Sequence, residues 1–136
     1  MSVEELFTRE RLPALLQSEA SECGIACLAM IASKHGRRTT VSELRGKFSL
    51  SLKGMTLQHL IRCADNLGLS SRPLRCELNE LGQLRVPAIL HWDLNHFVVL
   101  AKVGKRKVVI HDPARGRREL PLEAVSKHFT GVALEL

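Results

Sequence analysis

The chain has 136 residues, of which 45% are hydrophobic and 25% are charged. These values are typical of a folded globular protein, and they exclude a wholly disordered chain or two domains of ordinary size. The net charge is +6, which in general favours anionic surfaces. Aromatic residues are only 4% of the chain, so the basic residues lack the interleaved aromatics of a nucleic-acid binder. We therefore predict one domain over residues 1–136, with no nucleic-acid partner.

We expect neither a signal peptide nor a membrane span in this sequence. Its first residues include acidic side chains, and no apolar run approaches the roughly 18 residues that cross a bilayer. The four cysteines follow no disulfide or zinc pattern and would remain thiols in a reducing compartment: Cys23, Cys27, Cys63 and Cys76. We expect an intracellular domain.

Helices are predicted in the first half of the chain, after an irregular lead-in over residues 1–16. Apolar residues recur at helical spacing over residues 21–35, where Ser18 or Ser21 would cap the helix and Gly36 would end it. Thr40 and Glu43 form a capping-box pattern ahead of a short helix to about residue 48. Residues 49–55 predict an apolar loop, after which Thr56 would cap a helix over residues 57–67.

Strands are predicted in the second half of the chain. Segments rich in Val, Ile and Leu indicate strands over residues 69–76, 87–92, 96–103, 107–112 and 131–136. Pro73 marks the first of these as an edge strand. One helical turn is expected over residues 79–84, a basic loop over 113–118 and a short helix over 120–128. Helices followed by a mostly antiparallel sheet predict an α+β fold.

Cys23 is the first candidate for chemistry, because it lies at the start of the predicted helix over residues 21–35. The positive end of a helix dipole favours the thiolate, which is the nucleophilic form of cysteine. Gly24 and Ala26 beside it would leave room for a substrate backbone. A buried cysteine is more often a small core residue, and we expect that role for Cys27, one turn further along.

A predicted hairpin brings His96 and Asp112 back to the same end of two strands. If Val103 opposes Lys107, His96 opposes Ala114, and Asp112 lies two residues away on the same face. Asp112 could then orient the imidazole towards a thiolate. A register shifted by one residue would spoil this shared face. The alternative is that His96 caps a strand and Asp112 starts a turn.

Gln17 lies six residues before Cys23. Its amide could donate a hydrogen bond to a developing oxyanion, together with the backbone N–H of Cys23. The alternative is a glutamine that faces solvent ahead of a helix.

The segments QSEASECGIACLAM from Gln17, HFVVL from His96 and DPARG from Asp112 carry a family resemblance. The chain resembles the double-glycine leader peptidase domain at the N-terminus of colicin-V-type ABC exporters of bacteriocins, from about Leu12 to Leu136. Many members have Asp before the cysteine, where this chain has Glu22. The chain ends where such a transporter would continue into its membrane segments, so we expect a fragment of a longer protein.

The resemblance implies a papain-like cysteine peptidase fold, with N-terminal helices packed on the sheet. Cys23 would be the nucleophile, His96 the general base and acid, Asp112 the residue that orients His96, and Gln17 part of the oxyanion hole. It implies cleavage after a Gly-Gly pair, without a cofactor or metal.

The implied partners are a leader peptide and the transmembrane and nucleotide-binding domains of the same transporter chain. The implied location is the cytoplasmic side of the bacterial inner membrane, with the fragment itself soluble. Trp92 could wall the slot for the two glycines or simply pack in the core. A leader helix would lie in an apolar groove, for which the candidate residues are Leu50, Leu52, Met55 and Leu57.

Two other functions remain open from the sequence. The domain could bind leader peptides for export without cutting them, as relatives that lack the cysteine do. A metal-dependent hydrolase could use His91, His96, His111 and Asp112, although their spacing matches no zinc pattern.

Overall fold

The structure is a computed structural model that describes residues 11–18, 20–48 and 54–136. A 3₁₀ turn over Ala20–Glu22 leads directly into helix α1, Cys23–Lys34. Two shorter helices follow, α2 over Val41–Lys47 and α3 over Leu57–Asn66. After these come strands and one more short helix, so that the predicted order of helices first and sheet second is confirmed.

Six strands form one antiparallel sheet. They are β1 (Arg72–Arg75), β2 (Ala88–Trp92), β3 (His96–Val103), β4 (Lys107–Asp112), β5 (Gly116–Pro121) and β6 (Phe129–Glu135). Their order across the sheet is β1-β6-β2-β3-β4-β5. A 3₁₀ segment over Leu78–Gln83 and helix α4 over Leu122–Ser126 complete the chain. The α+β class and the position of Pro73 in the edge strand β1 are as predicted.

The core lies in two clusters, one on each face of the sheet. On one face, α1 packs against inward side chains such as Phe97 and Val99 of β3. On the other face, Trp92, Val98 and Leu100 pack beneath the 3₁₀ segment and α4. Alternate residues of β3 therefore serve different clusters, as the two-residue period of a strand requires.

Helix α1 is buried along nearly its whole length, from Cys23 to Ser33. Its predicted cap by Ser18 or Ser21 is wrong: the N-cap position is Glu22, after the 3₁₀ turn, and no side chain there caps the helix. The other two predicted caps are confirmed. Thr40 Oγ1 accepts from the backbone N–H of Glu43 at 3.0 Å, and Thr56 Oγ1 accepts from that of His59 at 3.1 Å.

The predicted basic loop over residues 113–118 is also wrong in its second half, because β5 begins at Gly116 and pairs with β4 along its length. Charged residues dominate β5, which is an edge strand, and only Leu120 is buried. Polar edge strands of this kind carry little hydrophobic signal, which is why the sequence pattern favoured a loop.

The β3–β4 hairpin reaches the predicted alignment by a different route. Val103 opposes Val108 rather than Lys107, which shifts the register by one residue. An irregularity between Leu100 and Lys102 shifts it back, so that Val99 opposes His111. Continued by one pair, this register sets Asp112 opposite Val98, on the same face as His96.

Candidate active site

The structure gathers Cys23, His96, Asp112 and Gln17 at one end of the sheet. Cys23 is the first residue of α1, His96 the first of β3 and Asp112 the last of β4. Gln17 is held beside them because its backbone N–H donates to the carbonyl of Pro113, at 2.9 Å, in the β4–β5 turn. Four separate segments thus contribute one side chain each.

His96 and Asp112 form a hydrogen-bonded pair. His96 Nε2 lies 2.7 Å from Asp112 Oδ1, and the backbone N–H of Ala114 donates to the same oxygen at 2.9 Å. The carboxylate is buried, with 6% of its side chain exposed. Because two donors and the β-sheet fix its position, Asp112 holds the imidazole in one orientation.

The same contacts control the charge of the site. Burial by itself lowers the pKa of His96, but the hydrogen bond that its ring donates to Asp112, together with the adjacent Cys23, outweighs this effect and raises the pKa to about 9. Burial raises the pKa of Asp112, and the hydrogen bonds from His96 and Ala114 outweigh it, so that the pKa falls below its usual value. Near neutral pH the pair is therefore an imidazolium and a carboxylate.

Cys23 is buried, with 3% of its surface exposed, and lies close enough to His96 to raise the pKa of the imidazole. Since Asp112 occupies Nε2, the nitrogen left for the sulfur is Nδ1. An imidazolium beside a sulfur at a helix N-terminus stabilises the thiolate. The backbone N–H of Cys23 lies in the first turn of α1, directly after the 3₁₀ turn over Ala20–Glu22.

Glu22, directly before the cysteine, is buried and bound on both sides. Its carboxylate accepts from the backbone N–H of Ser18 at 2.9 Å and from Arg45 Nη2 at 3.1 Å, and Arg45 Nε also donates to it. The bond to Ser18 fixes the segment that carries Gln17. The guanidinium of Arg45 compensates a negative charge that would otherwise oppose a thiolate at Cys23.

Cys27 is fully buried in the helix-side cluster. Burial, followed by the charges of Cys23 and Asp112, raises the pKa of its thiol well above the usual value. This environment disfavours a nucleophilic thiolate, and it agrees with the packing role expected from the sequence.

Gly24 and Ala26 do not provide clearance for a substrate, contrary to the prediction. Both are buried. A Cβ at Gly24 would lie 3.1 Å from Met55 Sδ and 3.3 Å from Leu60 Cδ1. The lack of a side chain at Gly24 thus allows α3 and the segment before it to pack closely on α1.

Trp92 lines the cleft that contains His96 and Asp112, and it opposes His96 directly in the β2–β3 ladder. It is 3% exposed, so it belongs to the core as well as to the wall. Of the residues predicted for the leader groove, Met55 and Leu57 are partly buried against the helix-side cluster. Leu50 and Leu52 lie outside the described residues.

The histidines considered for a metal site point in different directions. His91 Nδ1 contacts Thr130 Oγ1 at 2.9 Å, and His111 Nδ1 donates to the carbonyl of Pro13 at 2.9 Å. Strand alternation turns both away from His96 and Asp112. In the part of the chain that the structure describes, no group of three or more His, Cys, Asp or Glu side chains is arranged to hold a metal ion.

Sequence reasoning missed several residues that line the cleft: Asp93, Asn95, Ala114, Arg115, Arg118 and His128. Both arginines lie in the segment that the sequence predicted as a basic loop. Their nearness in sequence to Asp112 was the signal that could have placed them at the site, whereas nothing in the sequence indicates His128.

Comparison with known proteins agrees with this geometry. The model of the peptidase C39 family matches residues 11–136. The chain belongs to this family.

Among the relatives of this peptidase C39 domain, two come from Escherichia coli. A probable microcin-H47 secretion/processing ATP-binding protein is 50% identical over 94% of the chain, and a colicin V secretion/processing ATP-binding protein is 48% identical over 97%. The chain spans only 18% and 19% of their lengths.

A solved structure shows the same fold. It is a double glycine motif protease from an AMS/PCAT transporter in complex with the leader peptide, and it is 34% identical with a TM-score of 0.86. The match covers 93% of this chain and 91% of the other, so the peptidase C39 domain has the papain-like fold that the resemblance implied. Within its described residues, no helix is long and apolar enough to cross a membrane.

Proposed function

We propose that this chain is a thiol endopeptidase that cleaves a bacteriocin-like precursor after the Gly-Gly pair at the end of its leader. The observation that carries the proposal is the hydrogen-bonded pair of His96 and Asp112 beside Cys23, whose sulfur lies at a helix N-terminus. Membership of a peptidase family and the named processing role of the relatives support the same function.

The mechanism begins with attack of Cys23 Sγ, as thiolate, on the carbonyl carbon of the second glycine. The oxyanion that forms accepts hydrogen bonds from the side-chain amide of Gln17 and the backbone N–H of Cys23. The His96 imidazolium then gives its Nδ1 proton to the leaving amine, so that the peptide bond breaks and a thioester remains. Asp112 keeps the ring oriented throughout.

Hydrolysis of the thioester completes the cycle. His96, now neutral, accepts a proton from water while the water oxygen attacks the thioester carbonyl. The thiolate of Cys23 leaves, and the leader is released with a free carboxylate. All the groups required belong to this chain, so the proposed reaction needs no metal or cofactor.

Selection of two glycines follows from the buried surroundings of the sulfur. A narrow slot at Cys23, walled by Trp92, would admit backbone but no side chain. The leader itself would lie as an amphipathic helix against Met55 and Leu57, next to the N-terminus of α1. Leu50 and Leu52 remain candidates for the same groove.

We also propose that the domain works as part of a longer transporter, on the cytoplasmic side of the bacterial inner membrane. The support is the ATP-binding secretion/processing relatives, of which this chain spans about a fifth. The partners would be the transmembrane and nucleotide-binding domains of that longer chain.

The deciding experiment compares Cys23→Ala with Cys27→Ala, using a colicin V precursor as substrate and mass spectrometry of the products. We expect the unaltered protein to cut after Gly-Gly, Cys23→Ala to lose at least about 10³-fold in rate, and Cys27→Ala to keep most activity. Turnover that survives in Cys23→Ala would refute the assignment of the nucleophile.

The same preparation tests the alternative of a docking domain that binds leaders without cutting them. Iodoacetamide should label Cys23 at neutral pH faster than it labels a free thiol. Leader binding without cleavage, together with slow labelling, would favour docking.

A further inference from the structure

The cleft beside the His96–Asp112 pair has a volume of about 360 Å³. The residues around it come from the β2–β3 turn, the β4–β5 turn, the segment before β6 and Gln17. Its size suits a few residues of extended peptide rather than a helix.

The cleft carries two guanidinium groups that form no ion pair within the part of the chain that the structure describes. Its two carboxylates are each bonded to a histidine, Asp112 to His96 and Asp93 to His128, both at 2.7 Å. Arg115 and Arg118 also line it, and neither forms an ion pair with a carboxylate of residues 11–18, 20–48 or 54–136. Of these two arginines, Arg118 alone contributes to lowering the pKa of Asp112, through its charge.

The neighbouring cations on the same strands behave differently. Lys107 and Arg117 both reach Glu119, at 3.1 Å and 3.8 Å, on the outward side of β5. Strand alternation turns Arg118 to the opposite side, over the cleft. Arg117 and Arg118 are thus adjacent in sequence, but among the described residues only Arg117 forms an ion pair with a carboxylate.

One wall of the cleft is fixed by several contacts. His128 stacks on Trp92, with ring centroids 5.2 Å apart and ring planes 8° apart. The backbone N–H of Asp93 also donates to the carbonyl of His128, at 2.7 Å. A wall held in this way can confine a peptide between itself and the arginines.

The cleft and the predicted leader groove adjoin Cys23 from different sides. Met55 packs with the helices on one face of the sheet, whereas Trp92 and Arg118 lie over the other face. A peptide whose leader lies against the helices would pass Cys23 and continue into the cleft. The part of the substrate in the cleft is then the segment downstream of the cut bond.

We propose that Arg115 and Arg118 form a subsite for an acidic side chain within about the first three residues downstream of the cut. This proposal rests on the proposed function and extends it, because it adds a preference on the product side of the bond. The ligand is a peptide carboxylate, and the two arginines determine specificity.

The test uses synthetic peptides that share one Gly-Gly leader and differ downstream. Asp or its uncharged isostere Asn is placed at the first, second or third position, and kcat/KM is measured for each pair. We expect the unaltered protein to prefer Asp about fivefold at one position or more. The preference should shrink at high salt, because exposed ion pairs are screened.

The variants assign that preference to the arginines. In Arg115→Gln/Arg118→Gln the Asp/Asn ratio should fall to about one, whereas the matched control Arg117→Gln should keep it. A ratio near one in the unaltered protein, or a preference that persists in the double variant, would overturn the subsite alone. Failure to cut any of the peptides would refute the proposed function, on which the subsite proposal rests.

Discussion

Two histidine–aspartate pairs face the same cleft with the same 2.7 Å contact, yet they differ in their surroundings. In the pair of His96 and Asp112, 18% and 6% of the side chains are exposed. In the pair of His128 and Asp93, 43% and 51% are exposed. Only the first pair has a thiol beside it, and only the second has its imidazole stacked on an aromatic ring.

This difference shows that a short contact between imidazole and carboxylate does not by itself define a catalytic pair. Burial strengthens the effect of Asp112 on His96, whereas water screens an exposed pair. The nearby sulfur gives the first imidazole a proton-transfer partner. We therefore assign catalysis to His96 and a wall-forming role to His128.

The sharpest test of this assignment removes each imidazole in turn. His96→Ala should lower kcat/KM by about 10³-fold or more, because both thiolate stabilisation and proton transfer are lost. His128→Ala should lower it by less than about tenfold, through loss of packing on Trp92. Kinetics with one Gly-Gly substrate would measure both, and equal losses would contradict the distinction.

The carboxylates of Asp112 and Asp93 provide a second test, through the pH dependence of kcat/KM. The alkaline limb should lie near pH 9, where His96 loses the proton that the leaving amine requires. Asp112→Asn should lower activity roughly 10²-fold and move this limb to lower pH by about one unit or more. Asp93→Asn should leave the alkaline limb in place. An alkaline limb that does not move in Asp112→Asn would argue against a catalytic pair of His96 and Asp112.

The smallest expected effect concerns stability. The pKa of His96 is raised from 6.5 to about 9 on folding, so its stabilising contribution is complete below pH 6.5 and is lost as pH rises through about 9. Reduced for partial exposure, this contribution is about 1–2 kcal/mol.

Denaturant unfolding of the unaltered protein and of His96→Ala, at about pH 6 and about pH 9.5, would measure the stabilising contribution of His96. The stability difference between the two proteins should shrink at the higher pH. Asp112→Asn serves as the control, since most of the pH effect should disappear there. A difference that stays constant would show that His96 is not stabilised as an imidazolium.

Much of the fold could be predicted because its signals are local. The bounds of β3 and β4 were as predicted, since each strand is built around an apolar run that contains consecutive β-branched residues. Thr40 and Thr56 cap their helices for the reason the pattern indicates. Strand β5 was missed because only one of its six residues, Leu120, is buried.

The site could be predicted where the type of residue and its order along the chain identify it. It was harder to predict where the positions of residues depend on tertiary packing. Cys23, His96, Asp112 and Gln17 come together in the structure as the family resemblance implied. The contact between Gly24 and Met55 could not be foreseen, because it depends on how α3 meets α1. The salt bridge between Glu22 and Arg45 is likewise a tertiary contact without a sequence signature.

The irregularity around Ala101 has a consequence for how this hairpin tolerates changes in length. A regular ladder continued from the pair Val103–Val108 would set Asp112 opposite Val99, and its carboxylate would then face the helices. Since the extra position lies at Ala101, losing that residue would leave the inner pairs aligned. One residue inserted between Ile110 and Asp112 would separate Asp112 from His96. Evolutionary change in hairpin length should therefore be accepted at Ala101 and rejected at the end of β4.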